Sequence, residues 1–211
     1  MTRPSSYTVQ PATSANLPSL ETIVPRAFHP TNPYITKLFP DTPNVRSWWT
    51  QIFSSKIASP ETSHLLTVTS PSDPATALGV LSMQLFAPTE QGAGFYSTFF
   101  PTSDHDAEDY EAVAMNLAAA RKSYMSGKAH LVIELFGVDH AAKGLGLGKL
   151  LLERACELAD VEALPIFVMA NASAQGIYPK VGFELRDVKV MPGELKYEEY
   201  MLVRSARKLG S

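Results

Sequence analysis

Leu131-Val132-Ile133-Glu134-Leu135-Phe136-Gly137-Val138, followed five residues later by Lys143-Gly144-Leu145-Gly146-Leu147-Gly148 and an amphipathic run, orders the rest of the chain. It reads as strand, glycine turn, helix. Glycine at every second position removes the Cβ atoms that would hold an anion away and lets successive backbone N–H groups converge. The helix adds its N-terminal partial positive charge at the same point. A phosphate-bearing ligand is the natural guest. A P-loop is excluded, because Lys143 stands five residues before Gly148 and Leu150 occupies the hydroxyl position after Lys149. A dinucleotide fingerprint counted from Gly144 and Gly146 would need glycine at Lys149, so it is excluded too.

The remaining pattern is Lys143, two residues, then Gly146-Leu147-Gly148, with Gly144 and Leu145 between, and a second block lies downstream at Asn171, Ala174, Tyr178, Gly182 and Phe183. Together they resemble the two conserved motifs of the GNAT superfamily of acetyl-CoA-dependent N-acetyltransferases. The resemblance covers about residues 130–185, the expected cofactor-binding core, and extends more loosely to Tyr7-Thr8-Val9-Gln10, which is similar to the usual first strand. It implies an α/β fold in one domain over 1–211, with a central mixed sheet of about seven strands flanked by helices.

Composition agrees with one soluble globular domain. The chain has 211 residues, 45% of them hydrophobic, and a net charge of −3, enough apolar material for a single sizeable core. A lone cysteine, Cys156, excludes an intramolecular disulfide and points to a reducing compartment. Met1-Thr2-Arg3-Pro4-Ser5-Ser6 has no secretory apolar segment, and no stretch approaches the roughly 18 apolar residues of a membrane span. The expected location is cytoplasmic. The 18 basic residues are scattered among 21 acidic ones, so neither nucleic acid nor membrane is an expected partner, and no metal site is expected. The acids Asp104, Asp106, Glu108, Asp109 and Glu111 read as helix-capping charge.

Working outward, strands are expected near 6–10, 64–69, 77–86, 130–138, 165–169, 183–190 and 197–203. Helices are expected from Ser14 to about Phe28, over 45–57, over 104–125, after the glycine turn, and over 172–180 with an interruption at Pro179. The proline-rich stretch 29–43 and the stretch 87–103 are expected to be irregular.

The resemblance also assigns roles. The N–H of Phe136 would face the thioester carbonyl and that of Val138 the pantetheine arm, with Gly137 between them in a strand that splays from its neighbour. The amides of Gly144, Leu145, Gly146, Leu147, Gly148 and Lys149 would surround the pyrophosphate, with Lys143 in place of the more usual Gln or Arg. Asn171 would bind the cofactor arm, and Tyr178 would protonate the leaving thiolate. From the residues themselves, Glu134 is the candidate general base: a lone carboxylate in an apolar strand, on the face of Phe136 and Val138 by the period of two. His140 and His105 are weaker candidates, each expected in an exposed loop.

For the acceptor, the stretches 28–53 and 86–100 offer Phe28, Tyr34, Phe39, Trp48, Trp49, Phe95 and Tyr96, a set suited to an apolar or aromatic amine. The expected function is transfer of acetyl from acetyl-CoA to a small-molecule primary amine in a ternary complex. The alternatives are a CoA-binding module without activity and a peptide or protein N-acetyltransferase.

Overall fold

The computed structural model describes residues 7–191 and 195–207. Its centre is one seven-stranded sheet built from β1 (Thr8–Pro11), β2 (Ser63–Thr69), β3 (Gly79–Phe86), β4 (His130–Val138), β5 (Ile166–Asn171), β6 (Glu184–Val190) and β7 (Glu198–Arg204), in the order β1-β2-β3-β4-β5-β7-β6. Only β4 and β5 run parallel; every other neighbouring pair is antiparallel. The parallel pair needs a crossover, which the helix after the glycine turn supplies. The mixed seven-stranded sheet expected from the sequence is therefore present. Residue 6, where the first strand was expected to begin, lies outside the described residues.

The helices are α1 (Leu17–Leu20), α2 (Ile23–Phe28), α3 (Pro33–Leu38), α4 (Pro43–Ala58), α5 (Phe95–Thr98), α6 (Ala107–Met125) and α7 (Leu147–Val161). On one face of the sheet α7 buries Leu147, Leu151, Leu152, Ala155, Cys156 and Ala159 against Leu66, Leu81, Leu131 and Ile133. Each fully buried leucine contributes about 1.5–3 kcal/mol. The opposite face is covered by α1 to α6, with Trp49, Ile52 and Phe53 of α4 at its centre.

Three segments differ from expectation, each for a local reason. The helix expected from Ser14 to Phe28 is a 3-10 turn and two short helices, because Thr13 and Asn16 form a reciprocal capping box and the chain turns at Glu21 and Thr22. The stretch expected to be irregular over 29–43 contains α3, begun by Asn32 as N-cap to the Ile35 N–H, with Pro33 at the first helical position. Over 172–180 there is no α-helix but a series of turns closed by the 3-10 segment Tyr178–Val181. Pro179 sits in the first turn of that segment, where its missing N–H is not needed. The acidic run does cap: Asp106 accepts the Asp109 N–H at 2.9 Å to start α6, and Lys37 pairs with Asp106 and Asp109.

Arg204 on β7, whose side chain is 2% exposed, ties the last turn of α7 to the segment that precedes β6. Its guanidinium grips Asp160 of α7 through two bonds of 2.7 and 2.6 Å and donates from Nε to the Val181 carbonyl at 3.1 Å. The Arg204 partner holds the Asp160 carboxyl below the usual range. Asp160→Ala leaves a buried guanidinium without its counter-ion and should lower stability by about 3 kcal/mol in urea unfolding at pH 7. Because the folded-state pKa is depressed, this contribution is present above about pH 4 and disappears as pH falls through the folded value. The wild type and the variant should therefore converge in stability under acid conditions.

Candidate active site

The strand β4 pairs with β3 along its length, but with β5 only where Leu131, Val132 and Ile133 oppose Ile166, Phe167 and Val168. Beyond those pairs the two strands part. The β3–β4 register shifts between Ser82 and Met83: Met83 faces Ile133 and Ser82 faces Leu135, which leaves Glu134 as the extra residue of a β-bulge. A bulge bends its strand and re-aims the side chain at that point.

The bulge corrects the periodicity argument for Glu134. Phe136 and Val138 pack with the α7 layer, whereas Leu135 packs with the layer of α4. Glu134 reaches that second layer too, so it does not share the face of Phe136 and Val138. Its side chain has no exposed surface. Oε2 lies 2.5 Å from Lys56 Nζ of α4, and Oε1 accepts the Phe95 N–H at 2.8 Å, which caps α5. Lys56 also donates to Gln84 Oε1 at 2.9 Å. Gly94 allows the approach, with φ +62° and ψ −130°; a Cβ there would fall onto the Glu134 carboxylate.

The antiparallel alternation fixes where β4 points its backbone. Leu85 donates to the Thr62 carbonyl across β2–β3, and Asp139 donates to the Leu78 carbonyl across β3–β4. Counting from either bond, Leu81–Phe136 and Gly79–Val138 are the pairs that do not exchange hydrogen bonds. The N–H groups of Phe136 and Val138 consequently face away from β3, into the gap vacated by β5.

At the end of β4, Asp139 caps a 3-10 turn at His140–Ala142 and is held by an ion pair with Arg26 of α2. Gly144 and Gly146 follow with φ of +88° and +77°, and a Cβ at either would meet no atom within 4 Å. They are needed for the turn of the backbone and for the open space in front of it. Gly146 is the N-cap of α7 without a side-chain cap, so the N–H groups of Leu147, Gly148 and Lys149 have no intrahelical acceptor. Gly148 has a packing reason as well, since a Cβ there would lie 3.3 Å from the Phe136 ring. Lys143 and Lys149 are exposed at the rim.

Tyr178 is 1% exposed, its ring set edge-on to Phe136 at 6.0 Å and to Phe183 at 5.2 Å. Burial pushes its phenol up, so the hydroxyl keeps its proton at neutral pH. Asn171 ends β5, and its Oδ1 accepts from Ala174 N–H at 3.0 Å and Ser173 Oγ at 2.7 Å, which organises the turn leading to Tyr178. His140 is exposed as expected, but His105 is buried against Trp48, and burial pulls its imidazole down. Cys156 is buried, its thiol pushed up to about 11. Among the described residues, no group of three His, Cys, Asp or Glu could hold a metal ion.

A cleft with about 800 Å³ of empty space runs through the parting of the strands. Phe136, Ala174 and Tyr178 line it on the α7 side, and Phe28, Tyr34, Phe39, Trp49, Phe95 and Tyr96 on the other. Trp48 of the aromatic set read from the sequence is core instead. The sequence reading missed Glu199, which also lines the cleft. Its side chain shares a face of β7 with Met201 and Val203, but the strand also carries Glu198 and Arg204, so the search for a lone carboxylate in an apolar strand passed over it.

Residues 89–192 match the family model described as an acetyltransferase (GNAT) domain. The protein carries a GNAT acetyltransferase domain. Its activity is that of an acetyltransferase with acetyl-CoA as co-substrate, and the unpaired N–H groups of the glycine turn and of β4 suit such a ligand. Among solved structures, this GNAT chain is similar to arylalkylamine N-acetyltransferase 2 from Aedes aegypti (TM-score 0.70, 13% identity, 95% of this chain and 99% of that one). It is also similar to the ribosomal-protein-S18-alanine N-acetyltransferase from Escherichia coli (0.58, 13%, 97% and 97%) and to Arabidopsis thaliana NAA60 in complex with acetyl-CoA (0.58, 12%, 94% and 98%). At such identities the likeness is one of fold. No curated protein matches the sequence.

Glu134→Ala would strand the Lys56 ammonium in the core of this GNAT domain and should lower stability by about 3–5 kcal/mol in urea unfolding. The Lys56→Met/Glu134→Leu double variant should regain most of the loss, since no buried charge is left unpaired. A single variant as stable as the wild type would contradict the ion pair.

Proposed function

We propose that the protein, as one domain over 1–211 with its cofactor core at about 130–185, transfers acetyl from acetyl-CoA to the primary amine of a small-molecule acceptor by direct attack in a ternary complex. The observation that carries this reading is the continuity of the cleft through the sheet, lined by Tyr178 and Phe136 at one end and by an aromatic chamber at the other. Two reactants entering from opposite faces can meet without a covalent enzyme intermediate, and holding them together removes much of the entropic barrier. The aromatic walls favour an amine with an apolar body, in keeping with the arylalkylamine acetyltransferase among the similar structures.

In this reading the amides of Gly144, Gly146, Leu147, Gly148 and Lys149 hold the pyrophosphate, while the Leu145 N–H donates to the Ala142 carbonyl at 3.4 Å and shapes the turn, and Lys143 adds charge without a planar fork. The Phe136 N–H polarises the thioester carbonyl, and the Val138 N–H aligns the pantetheine arm. Gly137 contributes backbone and lets α2 close in, since a Cβ there would lie 2.9 Å from the Phe28 ring. Asn171 borders the arm, and Tyr178 delivers a proton to the thiolate. Glu134 acts through position: with Lys56 and the Phe95 N–H it holds the α4 and α5 wall against β4. A cytoplasmic setting is supported by the buried, unpaired Cys156; no helix among the described residues is long and apolar enough to cross a membrane.

Gly146→Asp tests the anion site cleanly, because the new side chain meets open space and aspartate tolerates positive φ. The folded variant should lose CoA binding in calorimetry; unchanged affinity would remove the pyrophosphate assignment. Tyr178→Phe should lower kcat roughly 100-fold with little change in the KM for acetyl-CoA. The acceptor class is decided by product analysis with 2-phenylethylamine beside peptides bearing free α-amines. Turnover confined to peptides would replace the small-molecule reading.

A further inference from the structure

Glu199 of β7 stands out among the groups that the preceding mechanism leaves unused. It is 5% exposed, lines the cleft, and its Oε2 has no hydrogen-bond partner. The hydroxyl of Tyr34, 3% exposed and in the same cleft, is also without a partner. Tyr34 of α3 stacks on Tyr197 with centroids 4.2 Å apart, and Tyr96 of α5 stacks on Phe95. Tyr34, Tyr96 and Tyr197 all feel the Glu199 charge. The cationic residue acting on Glu199 is Lys189, its partner across the β6–β7 ladder, and that ammonium donates to Asn116 Oδ1 of α6 at 2.6 Å. From β5 the neighbours are Met169 and Asn171, neither titratable.

A buried carboxylate with an empty lone pair costs several kcal/mol unless a cation completes it. Electron-rich ring faces around that oxygen favour the same kind of guest. We propose that Glu199 receives the acceptor as an ammonium ion in this tyrosine-walled chamber and takes its proton before the nitrogen attacks the thioester. The inference rests on the reading of the cleft as an acceptor site and adds the group that recognises and activates the amine. One N–H proton passes to the Glu199 carboxylate. The freed lone pair forms the C–N bond at the acetyl carbonyl carbon, the C–S bond breaks with its electrons on sulfur, and the second N–H proton ends on the thiolate. Glu199 returns its proton to water when the amide leaves. Burial pushes the Glu199 carboxyl up to about 7, against the pull of Lys189, which suits proton transfer at neutral pH.

The test uses the full chain and Glu199→Gln, which preserves shape. In calorimetry on the CoA complex at pH 8, the wild type should bind 2-phenylethylamine, there a cation, about 10-fold or more tightly than 2-phenylethanol. Glu199→Gln should lose that preference. With 2-phenylethylamine, kcat/KM should fall roughly 100-fold and the acidic limb near pH 7 should vanish, whereas phenylhydrazine, neutral at pH 7, should lose far less. Equal losses for both acceptors, a retained limb, or a wild type indifferent to charge would overturn the proposal. A charge preference that disappears in Glu199→Gln without acetyl transfer to any amine would instead sink the transferase reading of the cleft and sustain the ammonium site. The variant also has a stability signature. A raised carboxyl pKa withdraws stability as pH rises from about 4.5 to 7, so the Tm gain of Glu199→Gln should be larger at pH 8 than at pH 5.

Discussion

A carboxylate and an ammonium 2.5 Å apart, with essentially no surface between them, constrain everything around them. Glu134, which reaches Lys56, is the residue that β4 carries in excess of β3, and the bulge that absorbs it bends β4 at the residue after its last pairing with β5. The bend, the ion pair and the parting of the strands are therefore one event. Where strands part inside a sheet, backbone donors lose their acceptors, and such donors must be met by something other than the sheet. The N–H groups of Phe136 and Val138 are those donors.

The same bulge divides the chemistry between the two faces of the sheet. Phe136, Val138 and Tyr178 belong to the layer of α7, whose first turn opens at Gly146. Glu134, Leu135 and the aromatic chamber belong to the layer of α4 and α5. A regular strand would have kept Phe136 and Val138 on the face of Glu134. The extra residue turns them to the α7 layer, while Glu134, next to Ile133 of that layer, stays on the other side, where its charge goes into architecture and leaves Glu199 as the unpartnered acid of the cleft.

What the sequence displayed and what it concealed follow from the range of the forces involved. The strand His130–Val138 and the turn into α7 were legible because alternation, glycine spacing and an apolar stripe are local signals. The helix α3 escaped because the four prolines of 29–43 suggested an irregular backbone, although Asn32-Pro33 is itself a start signal. The face of Glu134 was misread because a bulge is set by the neighbouring strand, and one chain segment cannot announce its register against another. Glu199 was overlooked for a similar reason. Its environment is assembled from Tyr34, Tyr96, Tyr197 and Lys189, which lie far apart in the chain and meet only once the sheet has its final order.

That order, with β7 inserted between β5 and β6, has a meaning in time as well as in space. During synthesis β6 emerges before β7, yet it has no place in the sheet until β7 has docked beside β5. The nascent protein thus carries an open edge on β5, the hydrophobic strand Ile-Phe-Val-Met-Ala-Asn, until residues beyond Glu198 have left the ribosome. Exposed edges of this kind are where chains pair wrongly with one another. The chamber that gathers Glu199 beside the aromatic walls cannot form before β7 has docked on β5.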